Sequence, residues 1–146
     1  MFKIRWAALI LVLVVAFIGL RPHFNARQQP VSATDDISVR TADRQVARYL
    51  QQHQRLPEFY LTKAQARRQG WNASAGNLCQ VLPGRAIGGD RFANRERKLP
   101  AQVGRQWYEA DVNYHCGRRS TDRLLYSSDG LIYLTTDHYR SFQRVE

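Results

Sequence analysis

Three stretches of this 146-residue chain hold side chains whose types and spacing could move protons and hold an anion. The first is Trp107-Tyr108-Glu109-Ala110-Asp111-Val112-Asn113-Tyr114. Alternate residues of a strand share a face, so Tyr108, Ala110, Val112 and Tyr114 should pack while Trp107, Glu109, Asp111 and Asn113 form a polar side. Two carboxylates on one strand face are more often simply solvated. Here Arg118, Arg119 and Arg123 follow closely, and a hairpin would return guanidiniums to the same surface.

The second stretch, Thr135-Thr136-Asp137-His138-Tyr139, sets a histidine in a loop beside an aromatic residue. Imidazole is the side chain suited to proton transfer near neutral pH, although a loop histidine more often has no catalytic job, and His23, His53 and His115 read as such cases. The third stretch, Gly88-Gly89-Asp90-Arg91-Phe92-Ala93-Asn94-Arg95-Glu96, combines pliable backbone with a ring, an amide and an acid. Those groups could stack on and hydrogen-bond one nucleic-acid base. Taken singly, each stretch also describes an ordinary strand, loop or turn.

The elements that must position these groups are legible from periodicity. Val46, Ala47, Tyr49 and Leu50 recur at spacings of three and four, predicting a helix from about Thr41 to Gln54 with one buried face. Thr62-Lys63-Ala64-Gln65 has the form of a capping box and Gly70 supplies a stop, predicting a short second helix with Lys63 in its first turn. Leu124 to Ser127 and Leu131 to Thr135 flank Ser128-Asp129-Gly130, a tight-hairpin signal. Helices first and antiparallel strands second predict an α+β domain.

Length and composition frame that domain. The chain suffices for one ordinary domain, and 44% apolar residues give it a core. Trp6 to Leu20 is an uncharged run preceded by Lys3 and Arg5 and followed by Arg21, the pattern of an export signal. As a helix it would reach roughly 22 Å at about 1.5 Å per residue, short of a hydrocarbon layer of roughly 30 Å. Val31-Ser32-Ala33 suits cleavage after Ala33 but lies thirteen residues beyond Leu20, so an uncleaved anchor through residues 6–20 stays open. The expected organisation is a signal peptide or membrane anchor over 1–33, a polar linker over 34–45 and the functional domain over 46–146.

Residues 1–33 hold four basic and no acidic residues; without them 18 basic face 12 acidic, a net charge of +6. Such a surplus draws a small domain towards polyanions, nucleic acid or an anionic membrane. Cys79 and Cys116 are the only cysteines and, in an exported protein, predict one disulfide. Their spacing has no CxxC character, which argues against zinc and redox chemistry.

From Val46 to Phe142 the sequence resembles, without gaps, the barnase-type bacterial guanyl-preferring ribonucleases. The blocks that carry the resemblance are Leu56-Pro57 with Tyr60 and Thr62-Lys63, Gly70-Trp71, Gly76-Asn77-Leu78, Pro83-Gly84, Ile87-Gly88-Gly89-Asp90, Phe92 with Asn94-Arg95-Glu96, and Lys98-Leu99-Pro100. Glu109-Ala110-Asp111, Asp122-Arg123, Leu125-Tyr126-Ser127-Ser128-Asp129 and Thr135-Thr136-Asp137-His138-Tyr139 follow in the same order. The resemblance implies N-terminal helices packed on a C-terminal antiparallel sheet. It implies Glu109 as general base, His138 as general acid, and Lys63, Arg119 and Arg123 as cations around a scissile phosphate. Phe92, Asn94, Arg95 and Glu96 would form a guanine loop with Tyr139 stacking nearby, and Asp90 and Asp111 would brace the basic residues.

The implied reaction is cleavage of single-stranded RNA 3′ of guanine through a 2′,3′-cyclic phosphate, with no metal or other cofactor. A carboxylate base and an imidazolium acid coexist between the reference values of the two side-chain types, about 4.3 and about 6.5, so a bell-shaped pH profile is expected. Implied partners are RNA and an acidic, barstar-like protein inhibitor, and the enzyme is expected to be a secreted monomer. Departures from the family pattern are Ala93 in place of a loop serine, Arg118 beside Arg119, Gly130 in place of a tryptophan, and both cysteines. The rival from another class is an inactive or membrane-anchored module of the same fold that holds RNA without cutting it; incubation with RNA separates the two.

Overall fold

The computed structural model describes residues 33–146, so nearly all of the expected export segment, including Trp6–Leu20, lies outside the described residues. Among those described, no helix is long and apolar enough to cross a membrane. The elements run α1 (Ala33–Arg40), α2 (Asp43–His53), β1 (Tyr60–Leu61), α3 (Lys63–Arg68), α4 (Leu78–Val81), β2 (Ala86–Phe92), β3 (Trp107–Asp111), β4 (Arg123–Ser127), β5 (Ile132–Thr135) and β6 (Gln143–Arg144). The six strands form one sheet in sequence order; β1 and β2 are parallel and every later pair is antiparallel. This is the expected α+β arrangement, with a short parallel edge strand that the sequence reading did not foresee.

The stretch 34–45, expected as a linker, differs from that expectation. It contributes α1 and the start of α2, and Ile37 and Thr41 are fully buried. The Thr41 hydroxyl donates to Ile37 O at 2.7 Å and accepts from Tyr114 N at 3.0 Å, fastening this stretch to the loop after β3. Polar composition hid the contact because one apolar side chain is enough to anchor two helical turns.

Helix α2 buries Val46, Ala47 and Leu50, with Tyr49 half-buried, as its period requires. These residues join Ile37, Ala110, Val112, Leu124 and Ile132 in the main core, so the helices cover one face of the sheet. The opposite face carries a smaller cluster, Leu99, Trp107 and Leu125. The capping box of α3 is complete: the Thr62 hydroxyl accepts from Gln65 N, and the Gln65 side chain accepts from Thr62 N at 3.0 Å.

The predicted disulfide joins Cys79 in α4 to Cys116, with Cα atoms 5.7 Å apart and a sequence separation of 37. Closing a loop of that length restricts the unfolded chain by about 4 kcal/mol. Reduction is therefore expected to lower the unfolding free energy by about that amount, measured as a fall in the urea midpoint when reductant is added.

Candidate active site

The polar face of β3 is buried. Glu109 is 6% exposed and Asp111 2%, over the small core that Trp107 helps to fill. Cross-strand neighbours share a face, and the register sets Asp90 and Leu125 beside Glu109, and Arg123 then Thr135 beside Asp111. Asn113 leaves this face. Its side chain accepts from Asp43 N at 3.1 Å and donates to Asp122 at 2.9 Å, holding the start of α2.

Glu109 receives a donor on each oxygen. Lys63 Nζ lies 3.0 Å from Oε1, and the Tyr139 hydroxyl donates to Oε2 at 2.6 Å. Lys63 is the first residue of α3, and its backbone N–H donates to Asp90 Oδ2 at 2.9 Å. Asp90 thus braces Lys63 through the helix terminus, where a carboxylate suits the exposed amides, rather than through the ammonium. A bulge between Gly88 and Asp90, with Gly89 at φ +99°, supplies the turn of backbone that aims Asp90 there. Burial, and then the Glu109 carboxylate, push the Tyr139 hydroxyl well above the ordinary phenol range, so it stays a donor.

Asp111 gathers two guanidiniums. Arg119 Nε and Nη2 each donate to it at 2.7 Å in a two-pronged pair, and Arg123 Nε lies 3.0 Å from the same carboxylate, close enough for charge pairing but without hydrogen-bond alignment. Burial works against the charge on Arg119, and the Asp111 carboxylate more than offsets it, leaving the pKa raised. Arg123 is itself buried, with Nη1 donating to Ser120 O at 2.6 Å and Asp122 O at 2.8 Å. Arg118 faces elsewhere and donates to Ser74 O at 3.1 Å, so it does not add a cation to this cluster.

His138 is exposed, its ring 4.9 Å from that of Tyr139. Both residues have left-handed backbone, φ 56° and 70°, which side chains other than glycine adopt at a cost. The loop is held in that form by Asp137 and Thr135. Asp137 accepts from Arg140 N at 3.1 Å, Ser141 N at 2.9 Å and the Ser141 hydroxyl at 2.6 Å. The Thr135 hydroxyl donates to Asp137 at 2.9 Å and accepts from Tyr139 N at 3.0 Å. Sequence reading missed this pair as positioning residues, although an aspartate four residues before a serine is an available turn signal.

The Ser141 hydroxyl, followed by the other donors, lowers the Asp137 carboxyl to about 2. A carboxyl depressed on folding stabilises above its unfolded value, about 3.9 for Asp, and ceases to as pH falls through the folded one. Asp137→Asn is therefore expected to be less stable than the parent at pH 5 to 7, with the difference closing towards pH 2. Thermal midpoints across an acid titration check this.

The third stretch closes a cavity of about 330 Å³ lined by Phe92, Asn94, Arg95, Glu96 and Tyr139, among others. Phe92 and Tyr139 stack with centroids 5.4 Å apart and planes 15° from parallel. Asn94, at φ 49°, donates through its amide to Leu99 O at 2.9 Å and accepts from Leu99 N at 3.1 Å. Its side chain is spent shaping the loop. Arg95 and Glu96 remain exposed at the rim. All twelve expected residues of the site thus fall into one surface or its supports, the only two remaining, Cys79 and Cys116, forming the disulfide. Among the described residues no group of three or more His, Cys, Asp or Glu side chains could hold a metal ion.

The arrangement sets a buried carboxylate, an exposed imidazole, three cations and an aromatic cavity side by side, with Tyr139 touching both carboxylate and cavity. Comparison with known proteins bears on what it acts upon. A family model described as ribonuclease matches residues 41–146. A ribonuclease of Heyndrickxia coagulans is 59% identical over 100 residues, 68% of this chain and 92% of its own. One from Bacillus pumilus is 50% identical over 130 residues, 86% of this chain and 80% of the relative. Another, from Bacillus intermedius, is 59% identical over 100 residues, 68% of this chain and 62% of the relative.

Proposed function

The chain belongs to the ribonuclease family and is an RNA-cleaving enzyme, and from that premise we propose that it cuts single-stranded RNA 3′ of guanine, with Glu109 as base and His138 as acid. The observation that carries this reading is Tyr139: its hydroxyl holds the Glu109 carboxylate while its ring stacks with Phe92 in the wall of a base-sized cavity. A nucleotide whose base enters that cavity therefore brings its 2′-hydroxyl and 3′-phosphate towards Glu109.

RNA carries its own nucleophile. Glu109 takes the 2′-hydroxyl proton, the 2′-oxygen attacks phosphorus, and the P–O5′ bond breaks as His138 gives a proton to the departing oxygen, leaving a 2′,3′-cyclic phosphate. Water then adds with the roles exchanged: His138 takes its proton, and Glu109 returns one to the 2′-oxygen, giving a 3′-phosphate. Lys63, Arg119 and Arg123 stabilise charge on the phosphoryl oxygens, and Asp111 keeps the guanidiniums at hand. Intramolecular attack requires no metal-bound hydroxide. Ala93 removes one side-chain hydroxyl from the loop, leaving main-chain donors and Glu96 to read the base.

The disulfide and the apolar run near the N-terminus support an exported enzyme, cleaved or anchored through residues 6–20. Its cationic surface suits an acidic, barstar-like inhibitor in the producing cell. A strand with one guanosine tests the central assignment: replacing that residue by 2′-deoxyguanosine should abolish cleavage while leaving binding, and cleavage of the deoxy strand would overturn it.

A further inference from the structure

Lys98 stands where the proposed mechanism gives no residue a role. Its Nζ lies 2.8 Å from Glu96 Oε2 and donates to Tyr139 O at 3.3 Å and Arg140 O at 3.2 Å. An ammonium has three N–H donors and no acceptor, so these three partners exhaust it. Glu96 belongs to the loop that rims the base cavity; Tyr139 and Arg140 directly follow His138 in the loop that presents it. One side chain thus ties the group that would read the base to the backbone that would place the acid.

We propose that Lys98 is a specificity-determining and positioning residue, a strap that holds Glu96 over the cavity and fixes the His138 loop at the same time. The proposal rests on the reading that this cavity takes guanine. Lys98 and Glu96 side chains are 40% and 75% exposed, so solvent screens their pairing and the strap adds little to stability. Its value is geometric. Held by Lys98, the Glu96 carboxylate stays at the rim, where it can accept from the N–H edge of guanine and is unmatched by adenine. Two carbonyls tied to one ammonium, in turn, limit the swing of a loop that already carries consecutive left-handed residues. Correct base binding and correct placement of the imidazole then occur together.

The test compares cleavage of otherwise identical RNA strands holding one guanine or one adenine. For Lys98→Met the guanine-over-adenine ratio of kcat/KM is expected to fall about tenfold or more, the scale of one charge-assisted hydrogen bond. The kcat on the guanine strand should fall as well, and the thermal midpoint should stay within a few degrees. Lys98→Arg, which keeps charge and donors, should recover most of both. In a Glu96→Gln background the Lys98→Met change should cost no further discrimination yet still lower kcat, since only the carbonyl half of the strap remains to be lost. Unchanged discrimination and kcat in Lys98→Met would overturn the strap while leaving the guanine reading intact. Absence of any guanine preference in the parent enzyme would instead overturn the guanine reading, and the strap with it.

Discussion

Glu109→Gln is expected to lower kcat for RNA cleavage by about 10²- to 10⁴-fold, the usual worth of a positioned proton-transfer group. The amide keeps the shape of the side chain and an oxygen for the Tyr139 hydroxyl, which donates to Oε2 at 2.6 Å in the parent. It cannot take the 2′-hydroxyl proton. His138→Ala should give a loss of the same order for a different reason, because the ring is exposed and its removal leaves the departing oxygen without a proton. RNA affinity should stay within a few fold in both variants, since Lys63, Arg119, Arg123 and the residues that line the cavity are all retained. Single-turnover rates with saturating enzyme, set beside binding to a non-cleavable deoxy strand, make the separation. Near-normal turnover in either variant would remove that residue from the chemistry.

The second large effect concerns stability and catalysis together. Asp111 is buried beside two guanidiniums, one of them, Arg123, buried as well. Removing one partner of a buried ionic group leaves uncompensated charge and costs about 3–5 kcal/mol, far above the roughly 0–1 kcal/mol of an exposed pair. Asp111→Ala is accordingly expected to destabilise the fold by about 3–5 kcal/mol in urea denaturation. It should also lower kcat, because Arg119 loses the two-pronged bond that orients it. Arg105–Asp129 is a useful contrast. That pair has good geometry, with Nη2 to Oδ2 at 2.8 Å, but its carboxylate, Asp129, is exposed in the β4–β5 turn, and its loss should cost less.

The chemistry in the sequence was legible where one residue type does one job in one element. Strand alternation placed Glu109 and Asp111 on a common face, and the capping box placed Lys63 at a helix start, both as found. Alternation alone could not show that this face is buried. The groups that meet it come from other elements: Lys63 and Tyr139 contact Glu109, and Arg119 and Arg123 contact Asp111. The 34–45 stretch misled for a related reason: its polar composition conceals Ile37 and Thr41, whose partners are far along the chain. Strand β2 and its parallel partner β1 were hidden by the Gly88-Gly89 pair, which reads as a turn and serves here as a close approach and a bulge. Asp90 then acts on the Lys63 backbone and Asn94 on the Leu99 backbone, roles that composition does not distinguish from contact with a ligand.

The paired assignment of Glu109 and His138 is most directly tested by the product it must form. Purified residues 34–146, incubated in excess chelator with an RNA strand containing one guanine, should yield by early-time mass spectrometry a single cut 3′ of that guanine. The 5′ fragment should first carry a 2′,3′-cyclic phosphate and only later a 3′-phosphate. Intact RNA, or a first product without the cyclic phosphate, would contradict the account.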